Sequence, residues 1–514
     1  MNIDFNAEFN RALDLMENSQ QNIFITGRAG TGKSTLLNYF RRNTKKKIAV
    51  LAPTGVAAVN INGQTIHSFF KFKPSVTLSS IKKIKERDEK NIYKKLDAIV
   101  IDEVSMVRAD LLDCVNTFLQ LNGKNPREPF GGIQMIFIGD LYQLPPVVTS
   151  QEKEILFTHY QTPYFFSAQF FDDFKMEFIE LEKIYRQQDE LFIGLLNSIR
   201  NKTTTDEEME LLNQRVNPDH RAKAEGYAIY LTPKNADAEA INEEKLNESK
   251  EKVHIFNACV EGDFGKEYYP TRPRLSLKAG SQIMMMNNDP KGRWINGTMG
   301  KVLQIKKQEK EMEITVELEN GQEVKVSPHT WEVHRFFLEN EMIQSETIGS
   351  FTQFPLILAW ALTIHKSQGK TFKNVILDIG AGAFMPGQVY VALSRCTTLE
   401  GLILKKPIQK KHIWINHDVV NFVTNFQYQI SEEQYPLDKK VELIKESMER
   451  RQPLEIIYLR ANNEKSTRIV TPSQIGEMNY KDTPYIGMRG FCHSSQKDRV
   501  FRVDRILDFK RKTG

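Results

Sequence analysis

Eight residues near the start of the chain, Gly27-Arg28-Ala29-Gly30-Thr31-Gly32-Lys33-Ser34, fit the pattern GxxxxGK[ST]. Glycines let backbone N–H groups close around phosphate oxygens, and a helix N-terminus adds positive potential. In such a loop Lys33 reaches the β- and γ-phosphates and Ser34 ligates Mg²⁺. Gly27, Gly30, Thr31, Gly32 and Thr35 complete the cradle. The alternative is a plain Gly-rich turn. Against it, the run follows a strand-like NIFIT (Asn22–Thr26) and precedes a helix-like LLNYF.

Further residues could work on a phosphate held there. Asp102 and Glu103 follow the apolar run DAIVI. An acid at the C-terminal end of a buried strand sits where ligands bind. Asp102 would hold Mg²⁺ and Glu103 would polarise water as a general base; alone, the pair also reads as acids opening a helix. Gln143, in Gly139-Asp-Leu-Tyr-Gln-Leu-Pro-Pro146, can bond both water and γ-phosphate without titrating, although the segment alone reads as a Pro-terminated loop. Arg186 in LEKIYRQ and Arg395 in GQVYVALSRC could stabilise developing charge; taken singly, each reads first as a surface or salt-bridge arginine. Trp360–Gly369 (WALTIHKSQG) reads as a helix pattern ending at glycine. Its small polar residues could meet phosphates or sugars, or simply cap that helix with His365 packed locally.

These residues need a scaffold. Asn22–Thr26, Ile48–Ala52, Asp97–Ile101 and Gln134–Ile138 are short apolar runs separated by helical stretches, which predicts a parallel sheet covered on both faces. A lysine-rich insert, SSIKKIKERDEKNIYKK, interrupts this pattern and is expected to be partly helical. A second α/β region comprises Tyr227–Leu231, a helix from Asn235 to Leu246 and a strand at Val375–Leu377. Residues 296–333 alternate in short runs around an Asn320–Gly321 turn and read as a small inserted β-barrel. Residues 421–438 resemble a connector. Lys439–Arg451 is helical, and LEIIYLR, TRIVTPSQI, YIGMRGF and RVFRVDRI are strands.

The chain's 514 residues, 40% hydrophobic and 26% charged, suit a multi-domain globular protein and exclude a fibrous or mostly disordered one. It holds no apolar run of membrane-spanning length, and its mixed, acidic start predicts no secretory signal. Four scattered cysteines point to a reducing compartment rather than a disulfide framework or zinc site. The net charge is +5, and Val441–Gly514 holds 15 Lys/Arg against 10 Asp/Glu. That excess fits a polyanion contact, or a solvated face with chance imbalance.

In order, GRAGTGKS, APTGVAA (Ala52–Ala58), TIHSFF (Thr65–Phe70), IDEVSM, GDLYQLPPV, YRQ, LAWALTIHKSQGKTF and GQVYVALSRC resemble superfamily 1 DNA helicases of the Pif-one and RecD-like branch. The match runs from about Phe5 to Ile415. The resemblance implies an α/β fold of two RecA-like P-loop NTPase lobes, over 1–185 and 186–420. A wedge-bearing insert falls at about 63–96 and an SH3-like β-barrel at about 296–345. ATP and Mg²⁺ are the implied cofactors, and translocation is implied to run 5′→3′ on single-stranded DNA.

Carried over, Lys33, Ser34, Asp102, Glu103, Gln143, Arg186 and Arg395 match the family's ATP site. Thr54, His67, His365, Lys366, Ser367 and Gln368 fall in its strand-contacting motifs. One departure stands out: Phe9 occupies the place of a glutamine that reads adenine, with Gln20 or Gln21 as possible substitutes. After a linker at 421–440, residues 441–514 resemble a WYL-type domain with a degenerate signature. Arg489, Arg499, Arg502 and Arg505 are its candidate nucleic-acid or ligand contacts; Tyr485, Phe491 and Phe501 are either stacking platforms or core. The implied partners are single-stranded DNA, single/double-strand junctions and G-quadruplex DNA. The implied protein is a monomer in a bacterial cytoplasm, associated with the nucleoid. Rival readings are a strand-stimulated ATPase that remodels protein–DNA complexes, and a nucleic-acid-sensing regulator acting through the C-terminal module.

Overall fold

Short runs of Ile, Val and Phe buried on both faces favour parallel strands flanked by helices. In the computed structural model, six such strands pair in the order Gln64–Thr65, Ile48–Ala52, Ala98–Ile101, Gln134–Ile138, Asn22–Gly27, Met176–Leu181, all parallel. The structure describes residues 5–510 apart from 74–75, 85–90, 188, 221–226, 309–310, 340–341, 381, 383–384, 461–464 and 481–482. Helices Ala7–Asn18 and Lys33–Asn43 cover one face through Phe9, Ala12, Met16, Leu36, Leu37 and Phe40. Phe9 therefore serves the core, while Gln20 and Gln21 are exposed.

The lysine-rich insert forms short 3₁₀ turns at Leu78–Ser80 and Ile92–Lys94. Residues 85–90 of the expected partly helical stretch lie outside the described residues. Its flanks are fastened to helix Ala109–Asn122 by a cluster of Phe69, Phe70, Tyr93 and Phe118. Asn122 adds a clamp: its Oδ1 accepts from Ile84 N at 2.8 Å and its carbonyl accepts from Asn91 Nδ2 at 2.9 Å.

The second lobe is a smaller parallel sheet ordered Ala361–Thr363, Ala228–Thr232, Asn374–Leu377, Leu402–Leu404. Here one expectation is corrected. Ala361–Thr363 is a strand followed by a turn, not the end of a helix. Buried Asn242, on helix Asn235–Glu248, explains why. Its Nδ2 donates to Ala361 O at 2.8 Å and its Oδ1 accepts from Ala361 N at 3.0 Å. These bonds and the register with Tyr230–Thr232 hold the segment extended.

The β-rich insert is wider and differently divided than 296–345. Its five-stranded antiparallel sheet runs Glu323–Val326, Glu311–Leu318, Met299–Gln308, Gln282–Met285, Leu356–Leu358. A two-stranded sheet, His254–Asn257 with Arg274–Leu277, shares its core. Strands His329–Glu339 and Met342–Gln353 instead pair with each other, and the second also pairs with Cys259–Gly262. Closing strands so distant in sequence leave no local signal. The Asn-Gly turn is as expected, with Gly321 at φ +81°.

Residues 415–514, with 200–203, form a second compact unit. The expected linker is mostly helix: His417–Gln434, N-capped by Asn416, then Leu437–Arg450 after Pro436. Val419, Val420 and Val423 give the first of these a buried stripe. Its strands form an antiparallel sheet ordered Lys497–Arg502, Thr483–Cys492, Lys465–Tyr480, Leu454–Leu459, Ile506–Lys510. Lys440 Nζ donates to Ser431 Oγ at 2.8 Å, and Ser431 Oγ donates to Ile506 O at 3.0 Å, tying both helices to the sheet.

Candidate active site

The phosphate loop lies between strand Asn22–Gly27 and helix Lys33–Asn43. Gly32 caps that helix at φ +89° without a side-chain hydrogen bond, which suits the helix N-terminus to an anion. Gly30, at φ +85°, is required twice over. A Cβ there would fall 2.5 Å from Arg186 Cβ, and its carbonyl accepts from Tyr185 N at 2.9 Å. The Tyr185-Arg186 segment is thus built against the loop. Lys33 Nζ donates to Gly27 O at 2.6 Å and Arg28 O at 3.0 Å, which holds the ammonium at the loop. Thr31 is buried and donates to Arg28 O at 2.9 Å, so it shapes the cradle; Ser34 and Thr35 are exposed on the first helical turn.

Asp102 and Glu103 leave strand Ala98–Ile101 at the same sheet edge. Glu103 sits at φ 49°, ψ 42°, a left-handed conformation that L side chains adopt at a cost. Glu103 N donates to Asp102 Oδ1 at 2.9 Å. Burial and the Glu103 charge push the Asp102 carboxyl up to about 7. Burial also pushes Glu103 up, against the lowering influence of Lys33, Arg395 and a hydrogen bond from Gln368. Buried Asp102 beside half-buried Glu103, two carboxylates that resist joint ionisation, fits a divalent cation, with Asp102 and the Ser34 hydroxyl as the residues that would hold it.

Gln143 and Asp140 follow strand Gln134–Ile138. Both are buried, and Gln143 Nε2 donates to Asp140 Oδ2 at 3.1 Å. The second lobe reaches into this group at two points. Gln368 Nε2 donates to Glu103 Oε2 at 3.0 Å and to Gln143 Oε1 at 3.2 Å. The Tyr390 hydroxyl accepts from Ala29 N at 3.0 Å and donates to Asp140 Oδ2 at 3.4 Å. A chain of hydrogen bonds therefore runs Glu103–Gln368–Gln143–Asp140–Tyr390–Ala29, crossing repeatedly between the lobes. Motif spacing gave Tyr390 no role, although it lies in the same GQVYVALSRC run as Arg395.

The two arginines approach the seam differently from expectation. Arg395 is fully buried. Its Nε donates to Val391 O, Nη1 to Ser367 O and Lys370 O, and Nη2 to Ser394 Oγ. Most of its fork holds its own lobe together rather than facing the phosphate loop. Burial and the Arg186 charge draw it down to about 9, still cationic at neutral pH. Arg186 Nη1 donates to Ser394 O at 3.3 Å, and its Cβ touches the loop at Gly30, so it is the better placed of the two.

The expected strand-contacting residues divide as well. Gln368, expected to contact a strand, instead donates to the Glu103 carboxylate of the other lobe. Ser367 is completely buried and its hydroxyl donates to Ile364 O at 2.7 Å, so it shapes the turn. Thr54 Oγ1 caps helix Gly55–Asn60 by accepting from Ala57 N. Lys366 is exposed; His67 and His365 are half-buried, and burial lowers both imidazoles below their usual value, so both are neutral at pH 7.

In the C-terminal unit Arg502 is paired with Asp504 at 3.1 and 2.7 Å and lies over the Tyr485 ring. That leaves it a weaker polyanion contact than exposed Arg489. Phe501 is core, Tyr485 is half-buried and Phe491 is 38% exposed, so Phe501 alone of the three is buried in the core.

Comparison with known proteins identifies the family. A family model described as PIF1-like helicase matches residues 2–210, and one described as WYL domain matches residues 439–511. The ATP-dependent DNA helicase Pif1 of Bdellovibrio bacteriovorus is 33% identical over 411 residues, covering 78% of this chain and 88% of that protein. The crystal structure of Bacteroides sp. Pif1 with ADP-AlF4 superposes with a TM-score of 0.76 at 36% identity, covering 83% of this chain and 98% of that one. Bacteroides Pif1 in complex with ADP-AlF3 and single-stranded DNA superposes with a TM-score of 0.61 over the same shares. Among the described residues no helix is long and apolar enough to cross a membrane. With the phosphate loop, the acid pair and the second-lobe turn meeting at one seam, the chain belongs to the PIF1-like helicase family.

Proposed function

We propose that this DNA helicase hydrolyses ATP at the seam and moves 5′→3′ along single-stranded DNA, parting duplex at junctions. The observation that supports it best is the Gln368–Glu103 hydrogen bond. It joins the turn of a strand-contacting motif to the residue that would activate water. A DNA base-pair step is worth roughly 1.4 kcal/mol on average, so processive opening needs fuel. Hydrolysis supplies it only if two lobe arrangements grip the strand differently.

In this reading Lys33 and the loop amides hold the triphosphate, and Ser34 and Asp102 hold Mg²⁺, which when bound neutralises phosphate charge. Glu103 takes the proton of the attacking water. Gln143 orients that water, and Arg186 meets the charge that develops on the transferred group. Thr54, His67, His365 and Lys366 line the strand path, where neutral imidazoles suit stacking and hydrogen bonding better than ion pairing. Arg489 is the C-terminal contact. The reading extends to quadruplex DNA and to action as a monomer at the bacterial nucleoid. ATP turnover measured with and without single-stranded DNA, then unwinding of duplexes carrying 5′ or 3′ tails, tests it. Strand-stimulated turnover with 5′-tail unwinding is expected; turnover indifferent to DNA would refute it.

A further inference from the structure

Gln368 has two amide hydrogens, and both are committed to groups of the other lobe. One goes to the carboxylate that would take a proton from water, the other to the amide oxygen of the residue that would orient that water. Gln143 is thereby engaged at both ends, since its own Nε2 is on Asp140. The Gln143 amide plane and the Glu103 carboxylate are held in the orientation that serves Gln368, and each offers water only the lone pairs that Gln368 leaves.

The turn that carries Gln368 is built as a single piece. Ser367 N donates to Thr363 O, Gln368 N to His365 O and Lys370 N to Ser367 O. Ser367 Oγ closes on Ile364 O, and the buried Arg395 guanidinium pins the Ser367 and Lys370 carbonyls from behind. Lys370 Nζ fixes the far end to Asn296 Oδ1 at 2.8 Å. Exposed Lys366 and half-buried His365 lie on the same turn. Pressure on those two side chains has no internal slack to take it up, so it is passed to Gln368.

We infer that Gln368 is a positioning residue that restrains Glu103 and Gln143, and that a strand engaging His365 and Lys366 withdraws it to start hydrolysis. This rests on the strand-driven ATPase reading above. It assigns Gln368 to the control of turnover, and not to strand affinity.

Gln368→Met keeps the length and bulk of the side chain and removes both donors. In the full chain, strand-free ATP turnover by Gln368→Met should rise at least about fivefold, the lower end of typical coupling between sites. Stimulation by oligo-dT should shrink by the same factor, and the oligo-dT concentration giving half-stimulation should stay within about twofold. Gln368→Leu, which likewise removes both donors and adds no charge, serves as a second variant and should also raise strand-free turnover.

Unchanged strand-free turnover in both folded variants would overturn the inference. So would weakened half-stimulation with a normal maximal rate, because that is the behaviour of a simple strand contact. If the unaltered protein itself shows no strand stimulation, the functional reading fails instead, which keeps the two failures apart.

Discussion

The backbone N–H of Ala29, in the phosphate loop, donates to the hydroxyl of Tyr390, 361 residues later, at 3.0 Å. A side chain from helix Gln388–Leu393, which ends just before Arg395, thus occupies an amide of the loop that would cradle phosphate. The same hydroxyl donates to Asp140, so one phenol reports on both the loop and the Gln143 segment.

Tyr390→Phe removes that competitor while keeping the ring packed. Losing one intramolecular hydrogen bond is worth about 1 kcal/mol. ATP should therefore bind the variant roughly fivefold more tightly in equilibrium titration. Weaker binding would mean the hydroxyl organises the loop instead of competing at it.

Gly30→Ala tests the contact between loop and Arg186. The added methyl would meet Arg186 Cβ at 2.5 Å on a backbone at φ +85°. ATP turnover should fall by at least about a hundredfold, on the scale of losing one electrostatic transition-state contact. Turnover within a factor of three of the unaltered protein would show that the two need not touch.

Lys33→Ala should abolish turnover and unwinding yet leave strand binding, read by fluorescence anisotropy. Glu103→Gln should bind ATP and fail to release it as product, seen as retained nucleotide in single-turnover chromatography. Normal turnover by the second variant would remove Glu103 from its role as base.

The acid pair sets a pH dependence whose sign can be worked out. Asp102 titrates near 7 in the folded chain against an ordinary value of 3.8. A carboxyl raised on folding stabilises the fold below its unfolded value, and that contribution is lost as pH rises from about 4 through 7. Mg²⁺ needs the ionised form and relieves its repulsion. Added Mg²⁺ should raise the melting temperature more at pH 8 than at pH 6, measured by scanning calorimetry. An equal shift at both values would place the cation elsewhere.

Asn242→Ala would leave the N–H and C=O of buried Ala361 without their clamp. Each such group costs about 1–3 kcal/mol, so the second lobe should lose roughly 2–4 kcal/mol in urea unfolding. A loss under about 0.5 kcal/mol would show that the strand register alone holds the segment.

The phosphate loop, the acid pair and Gln143 were legible because each is a short run tied to the strand just before it. Local spacing suffices there. The same reasoning took WALTIHKSQG for a helix end, because the force that extends it comes from Asn242, 119 positions away. It assigned Gln368 to DNA and Arg395 to phosphate, since a motif gives a residue's place but not the direction of its side chain. Residues 421–438 read as a connector although helix His417–Gln434 runs through most of them, with Val423 and Thr424 buried. The barrel's limits were missed because its edge strand Leu356–Leu358 returns from beyond a separate strand pair. Phe9 carried a signal of its own: an aromatic where a polar reader was expected belongs to the core.

The central claim is that one seam couples nucleotide cleavage to a single strand, and ATP turnover by the full chain titrated with oligo-dT tests it most directly. Turnover that climbs at least about tenfold to a plateau, with the climb abolished by Lys33→Ala, is the predicted result. A rate that stays flat across the titration, in protein shown by anisotropy to hold the oligonucleotide, would contradict it.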